Sequence, residues 1–547
     1  MPILWKRSRP YAEFLPRHHP AAGLLAGDGQ LRAAGNFAFS LAPDTLPALR
    51  RIAPEVLAAL EQRHRALGSP PEVFASLRLL ADGAPAVVTG QQAGLLGGPL
   101  FTLLKTLTAI RVARELTTRH GRPFVPIFWS ETEDHDLDEV NQAWTFGAPG
   151  PARFSVPVAG EHRGSPVGTI PLGDGAKNFV AEFFAASPAT AFTPALVAGL
   201  SEDLERSPDW GTWFSRHLDR LFGRHGLVVA DSMDPRLIAC ARLLWARVLE
   251  EPLALTAICQ ERGRWIAGLG YHPILQKMEN RTPFFLLEAG RREPVTFERG
   301  LFRTPHADHT LIEVLRRLDD SPGDFSAAVH LRPHLQDFLL PTAAYIAGPT
   351  ELAYFLQLLP GYRTLDIPAP TIVLRASVTL VEPPVEKTLE RFGVDPAELR
   401  EGTDRALTAL VRREQRFAAP ELWEATRRAA LTPVAELAAE LAGEHPDLAQ
   451  RAEQVRGKVE FLLKDLESRS LAELRKKSDT ARDQLERARA RLFPNGGLQE
   501  RTVSAYYFLG KYGPGLVGDL LETLPRDATR HHFGTIVPDS APAGVHP

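Results

Sequence analysis

Apolar residues recur at helical spacing through "LPALRRIAPEVLAALEQRHRAL", with a break at Pro54, so residues 20–80 read as helical. A short apolar run from Ala86 to Val88 then predicts a buried strand. "PFVPIFWS" (Pro123 to Ser130) predicts a second, and Pro99 to about Arg119 a helix between them. Strand, helix, strand in one short stretch is a βαβ unit, which implies parallel pairing and a right-handed crossover. Between Trp144 and about Gly175, glycines and prolines separate short β-type runs, the pattern of hairpins inserted into an α/β core. "GLVVADSMDP" is another buried strand, ending in Asp231 and a turn. "TPFFLLEAGRREPVTFERGLFRTP" reads as antiparallel strands, "DFLLPTAAYIAGPTELAYFLQLLPGY" as strand, loop and helix, and "APTIVLRASVTLVE" as a last strand region.

After "PPVEK" the period changes. Leu448, Ala452, Val455, Val459, Leu462 and Leu466 step by four and three. After a phase break, Leu471, Leu474, Ser478, Ala481, Leu485, Ala488 and Leu492 step by three and four. This is a heptad seam with charged flanks, hence an antiparallel or intermolecular coiled coil, with a plain amphipathic helix hairpin as the simpler alternative. It stops at "FPNGG", a helix-ending signal. The last residues, "PRDATRHHFGTIVPDSAPAGVHP", read as a frayed tail in which His531 and His532 are solvated.

Composition narrows the class. At 547 residues the chain exceeds what one core usually organises, so two or more domains are expected. A formal net charge of −3 gives no general nucleic-acid or anionic-membrane surface, and no run of about 18 apolar residues predicts a membrane span. Cys240 and Cys259, the only two cysteines, form neither a disulfide framework nor a zinc site, which fits a reducing, cytoplasmic setting. Both read as core residues rather than nucleophiles.

Three stretches could carry chemistry. "AVVTGQQAGLLGGPLFTLLKTL" places Thr89, Gly90, Gln91 and Gln92 between a strand and a helix opened by Pro99. Backbone N–H groups at a helix start attract anions, and Lys105, one to two turns in, could point toward the same side. The pattern is neither GxGxxG nor a P-loop, so a ligand cradle and a tight structural turn both remain open. In "PIFWSETEDHDLDEVNQ" a strand ends in a polar cluster containing Glu133, Asp134, His135 and Asp136, beyond the carboxyl edge where open α/β sheets bind ligands. One or two of these carboxylates would cap the helix running into "LDEVNQAW", and His135 among them would take up a proton more readily than a free histidine. A solvated helix start is the simpler reading. In the third stretch, Arg332, Gln336 and Asp337 precede an apolar run, and "AGPTE" opens a helix near Glu351; Arg332 could grip a carboxylate or phosphate in bidentate fashion. Asp231 sits at a strand end, where it either joins a site or caps the turn. No GxSxG, HExxH, HxE…CxxC or EF-hand pattern appears, and no metal is predicted.

Four blocks, "VVTGQQAGLLGGPLFTLLK", "PIFWSETEDHDLDEVN", "LRPHLQDFLLPTAAYIAGPTELAYFLQL" and "LFPNGGLQERTVSAYYFLGKYG", occur in the order and spacing of the BshC cysteine ligase family of bacillithiol biosynthesis, which the chain resembles over nearly its whole length. The resemblance implies an α/β fold. Its core is a Rossmann-like parallel sheet akin to class I aminoacyl-tRNA synthetases and nucleotidyltransferases, with small inserted subdomains and a C-terminal helical coiled-coil arm that dimerises. Residues 1–382 would form the core, with insertions at about 145–225 and 260–320. Residues 383–497 would form the coiled coil, 498–524 would pack back on the core, and 525–547 would be a flexible tail. It implies a ligase that joins cysteine through an amide bond to the amine of glucosaminyl malate. ATP is the expected activator, because an amide does not form favourably from a free carboxylate. "TGQQAGLLGGP" lacks the two histidines that hold nucleotide phosphates in related synthetase-like folds. On this reading Thr89, Gly90, Gln91, Gln92 and the helix start hold an anionic group. Glu133, Asp134, His135 and Asp136 meet the amine or sugar hydroxyls, one of them as base, and Arg332, Gln336 and Asp337 close the pocket beside Glu351. Two rivals are a metal-dependent hydrolase built on "EDHD" and a non-catalytic coiled-coil scaffold.

Overall fold

The computed structural model describes residues 2–40, 43, 46–147, 150–276, 279–408 and 420–537, without the side chains of 471 and 474–478. Its strands are β1 (Ile3–Pro10), β2 (Phe37–Ala38), β3 (Ala86–Gln92), β4 (Val125–Glu131), β5 (Gln142–Gly147), β6 (Gly150–Ser155), β7 (Val228–Asp231) and β8 (Arg281–Glu288). They continue as β9 (Arg291–Glu298), β10 (Leu301–Arg303), β11 (Asp308–His309), β12 (Phe325–Ala327), β13 (Thr342–Ala347), β14 (Thr371–Leu374), β15 (Ser377–Val381) and β16 (Arg530–Ile536). The chain divides into two compact units, Met1–Val381 with Leu498–Pro547, and Glu382–Gly497.

The first unit is organised by a parallel sheet in the order β2-β14-β13-β3-β4-β7. Its middle strands are apolar runs buried on both faces, as parallel strands between helical layers must be. The predicted βαβ unit is present: β3, the helix Leu100–His120 and β4, with Gly121 ending the helix at φ 61°. Leu104, Leu107, Ile110 and Phe128 join one core, while Val87, Ala109, Val112 and Leu116 join another. The predicted hairpin is β5–β6, and the predicted antiparallel strands form a sheet in the order β11-β10-β9-β8-β12.

Several local expectations are corrected. Pro54 opens the helix Pro54–Leu67 rather than interrupting one, since its missing N–H costs nothing at a first position. β3 runs on through Gln91 and Gln92, so the glutamine pair ends a strand and is not in a loop. The helix after "EDHD" is a single turn, Leu137–Val140, because β5 begins at Gln142. Arg332–Leu339 is a helix. "APTIVLRASVTLVE" is two strands in two sheets.

The largest correction concerns the presumed tail. Arg530–Ile536 is strand β16, paired antiparallel with β1 and parallel with β15. His531 is buried, with its ring nitrogens 2.7 Å from Ser377 Oγ and 2.9 Å from Thr379 Oγ1, and His532 reaches the carbonyl of Asp527 at 2.9 Å. The remainder of the tail, 538–547, lies outside the described residues. Between the second unit and β16, residues 498–504 are fastened to β15. Gln499 bonds both the N–H (2.9 Å) and the carbonyl (3.1 Å) of Leu380, replacing a neighbouring strand. Glu500, fully buried, accepts from Arg375 (2.7 Å), Ser377 (2.9 Å) and the Val378 N–H (2.8 Å).

In the second unit, helices Pro420–Leu441 and Pro446–Leu492 pack together, and the long helix ends at the predicted "FPNGG", where Asn495 has φ 55°. The end of the seam is buried: Ala481, Leu485, Ala488 and Leu492 meet the elements Pro383–Phe392 and Pro396–Arg400. Its beginning is open, with Val455, Leu462 and Leu466 all more than half exposed.

Removing the Glu500 carboxylate leaves the Arg375 guanidinium buried without its counter-charge. Glu500→Ala is expected to lower unfolding free energy by about 3–5 kcal/mol, read as the shift in urea midpoint, and Glu500→Gln by less.

Candidate active site

From β3 the chain moves outward to β4 and β7, whereas β13, on the other side of β3, leads outward to β14. The gap between these two directions is the topological switch point, where the crevice beyond the strand ends is left uncovered by crossovers. A cavity of about 580 Å³ lies there. β3 contributes Gln91 and Gln92, β4 contributes Glu131 and then Glu133 and Asp134, and β13 leads into Gly348 and Glu351. The antiparallel sheet adds Arg281, Phe285 and Arg292, and the chain after the coiled coil adds Arg501.

The floor is an interlocked set of charges. Lys105, 1% exposed, donates to Glu351 Oε2 at 2.6 Å, to Gln91 Oε1 at 3.2 Å and to the Gly90 carbonyl. Glu351 also accepts from Tyr345 at 2.6 Å and from the Gly348 N–H at 2.7 Å. Arg332 faces Glu131 at 3.1 Å and donates to Tyr354 at 2.6 Å. Burial would lift the Glu351 carboxyl, but Lys105 and Arg332 reverse this and hold it below its usual range. Glu131 goes the other way, raised because burial outweighs the pull of Arg332 and Lys105. Gly90 makes the fit close: a Cβ there would stand 3.0 Å from both Glu131 Oε1 and the Trp129 carbonyl.

A second group follows Glu131 along the same chain segment and joins the first through Gln91 and Gln92. Burial, reinforced by the charge of Glu131, pushes Glu133 up to about 7; Ser232 donates to it. Asp134 accepts from Gln92 (2.5 Å) and from the His135 N–H (2.7 Å), and these bonds with nearby Arg292 hold it low against burial. Arg292 lies over the Phe285 ring at 4.0 Å and donates to the Ala327 carbonyl at 2.6 Å.

Of the residues singled out in the sequence, Gln91, Gln92, Lys105, Glu133, Asp134, Arg332 and Glu351 line this one cavity. The others do not. Thr89 is buried against the Ile346 carbonyl (3.0 Å), and Gly90 contributes only its backbone. His135 stands behind Arg292, 3.3 Å from it. Burial and that guanidinium lower its pKa, the reverse of the expected rise. Asp136 is exposed and caps nothing with its side chain. Asp231 turns away to Arg63 (2.8 Å) and Thr132. Gln336 and Asp337 bond each other at 2.8 Å, and Asp337 takes the Tyr362 hydroxyl at 2.6 Å, inside the core.

At the start of the helix Leu100–His120 a second cavity of about 230 Å³ opens beside Gly94, Gly98, Pro99 and Thr102, but the first helical N–H is already used. The Leu100 N–H donates to the Val503 carbonyl at 2.8 Å, and Gly94 and Gly98 serve each other, since a Cβ on Gly94 would meet Gly98 Cα at 2.8 Å. Sequence reasoning missed Arg281, Arg292, Arg375 and Arg501 in the lining. Among the described residues no three His, Cys, Asp or Glu side chains are grouped to hold a metal ion.

A charge-lined crevice at the switch point of a parallel sheet defines a Rossmann-like, small-molecule-binding α/β protein. Residues 44–376 match the family described as "Bacillithiol biosynthesis BshC, N-terminal Rossmann-like domain", and residues 378–535 match its "C-terminal coiled-coil domain". The chain therefore belongs to the BshC family. It is 32% identical to "Putative cysteine ligase BshC" of Salinibacter ruber, covering 95% of each chain. It is 34% identical to the protein of that name from Koribacter versatilis, covering 85% of this chain and 87% of that one. The one from Symbiobacterium thermophilum is 33% identical, covering 87% and 88%.

Lys105→Met is expected to cost about 3 kcal/mol by stranding Glu351, with Lys105→Met/Glu351→Gln recovering part of that loss; the check is a double-mutant cycle of urea midpoints.

Proposed function

We propose that this protein is the ligase that joins the carboxyl group of cysteine to the amine of glucosaminyl malate, completing bacillithiol. The reading rests on family membership and on one observation: six cationic side chains, Lys105, Arg281, Arg292, Arg332, Arg375 and Arg501, line the same cavity as Glu133. Lys105, Arg332 and Arg375 already face Glu351, Glu131 and Glu500. Arg292 likewise faces Asp134 at 3.9 Å, so Arg281 and Arg501 are the groups suited to the carboxylates of malate and cysteine.

In the reaction the C–N bond forms, the carboxyl carbon loses one oxygen, and the attacking amine loses a proton. Glu133, with a pKa near neutrality and beside Arg292, is suited to accept that proton. ATP, when bound, would supply the group that carries the departing oxygen. Arg281 and Arg501 would hold its phosphates, since the first N–H of the helix Leu100–His120 is already taken by the Val503 carbonyl. Asp134, held ionised, keeps Gln92 and Arg292 oriented. His135 serves as a support for Arg292.

The purified protein incubated with cysteine and glucosaminyl malate, with and without ATP, is expected to yield bacillithiol by mass spectrometry; absence of product under both conditions overturns the reading. Glu133 must be ionised to act, so kcat/KM should rise with pH through about 7 and lie roughly tenfold below its plateau at pH 6. Glu133→Gln should abolish that limb, and His135→Ala should reduce kcat/KM less than Arg292→Ala does.

The open part of the long-helix seam supports a homodimer, and two cysteines without a disulfide fit the cytoplasmic setting read from the sequence. Val455→Lys/Leu462→Lys is expected to turn a dimer into a monomer by light scattering, and an unchanged mass removes this seam as the interface.

A further inference from the structure

One wall of the cavity differs in kind from its charged floor. Phe285 on β8 and Pro294 on β9 stand directly opposite each other in the antiparallel sheet, so both project from the same face. Ile274 and Leu275 join them from the segment before β8, and Val329 from the turn that follows β12. All five line the cavity and keep part of their surface uncovered, Val329 being 39% exposed. Apolar surface left open inside a charge-lined crevice points to an apolar group on the ligand. Polar groups of this wall are turned elsewhere. The Thr282 hydroxyl lies 3.0 Å from the Val295 carbonyl and 3.2 Å from that of Phe284, and the Ala327 carbonyl accepts from Arg292 at 2.6 Å. Arg292 also ties the wall to the chemistry. The guanidinium that holds Ala327 lies 3.9 Å from Asp134, the neighbour of Glu133. A side chain borne next to a carboxyl carbon that reacts at Glu133 therefore has the Val329 end of the wall within reach. Sugar hydroxyls, malate carboxylates and phosphates would lose water there without gaining a partner, whereas a thiol behaves as a small hydrophobe.

We propose that this wall, with Val329 and Phe285 at its centre, is the specificity surface for the side chain of the amino-acid substrate. It selects a thiol over a hydroxyl by leaving the hydroxyl without a hydrogen-bond partner. The choice of cysteine as that substrate rests on the ligase reading.

Titration calorimetry of the unaltered protein under reducing conditions, with cysteine, α-aminobutyrate (an ethyl side chain) and serine added separately, tests this. The first two are expected to bind within about fivefold of each other, and serine roughly tenfold or more weakly. Val329→Thr keeps the shape of the side chain and adds a hydroxyl. It should narrow the cysteine-to-serine ratio of kcat/KM by about threefold or more, read from the two amide products by mass spectrometry. Serine bound as tightly as cysteine, no amino acid bound, or an unchanged ratio in Val329→Thr overturns the proposal. An unchanged ratio together with a raised KM for ATP gives the wall to the nucleotide base instead. Binding in the expected order without any bacillithiol formed sinks the ligase reading and leaves this one standing. Bacillithiol formed by a protein that binds serine and cysteine equally does the reverse, and the calorimetry decides the matter even where the variant fails to fold.

Discussion

The site depends on keeping four charged groups out of water in one small volume. Lys105 and Arg332 share the cavity floor with Glu131 and Glu351, and no member is stable there without the others. Each partner comes from a different element: Lys105 from the helix after β3, Glu131 from the end of β4, Arg332 from a helix before β13 and Glu351 from the helix after it. The electrostatic requirement therefore acts as a geometric one. Tyr345 and Tyr354 spend their hydroxyls on Glu351 and Arg332, adding hydrogen bonds to the cluster from within. Arg281 and Arg501, the exposed cations around it, are left to meet a ligand.

How much of this was legible depends on sequence distance. The βαβ unit, the switch-point residues Gln91 and Gln92, and Lys105, Arg332 and Glu351 could be read because each sits where a strand ends or a helix begins, and those boundaries are written locally. Arg292 and Arg501 were not legible. One comes from a strand of an inserted antiparallel sheet and the other from beyond a long helical excursion, and neither lies in a run that signals chemistry. His135 was misjudged for the same reason: its carboxylate neighbours are adjacent in sequence, whereas the guanidinium that reverses its proton affinity is 157 residues away. Gln336 and Asp337 lie away from the cavity because the helix sets Asp337 against Tyr362, and Gln336 bonds Asp337 in turn.

The C-terminal strand teaches a related lesson. Proline and small residues around "RHHFGTIV" masked a strand whose pairing partners, β1 and β15, lie at the far ends of the domain. Composition reports what a segment could do alone. It is silent on an edge waiting elsewhere in the chain.

The way Glu500 and Arg501 close the first unit has a consequence for biogenesis. A ribosome that has made everything through the long helix has produced a sheet with Arg375 lacking the Glu500 carboxylate, and a crevice lacking Arg501. Only when translation passes Arg501, and β16 threads between β1 and β15, does the first unit become electrically and sterically whole. A prematurely terminated product would accordingly be recognisable to quality control as unfinished rather than persist as a partly active species.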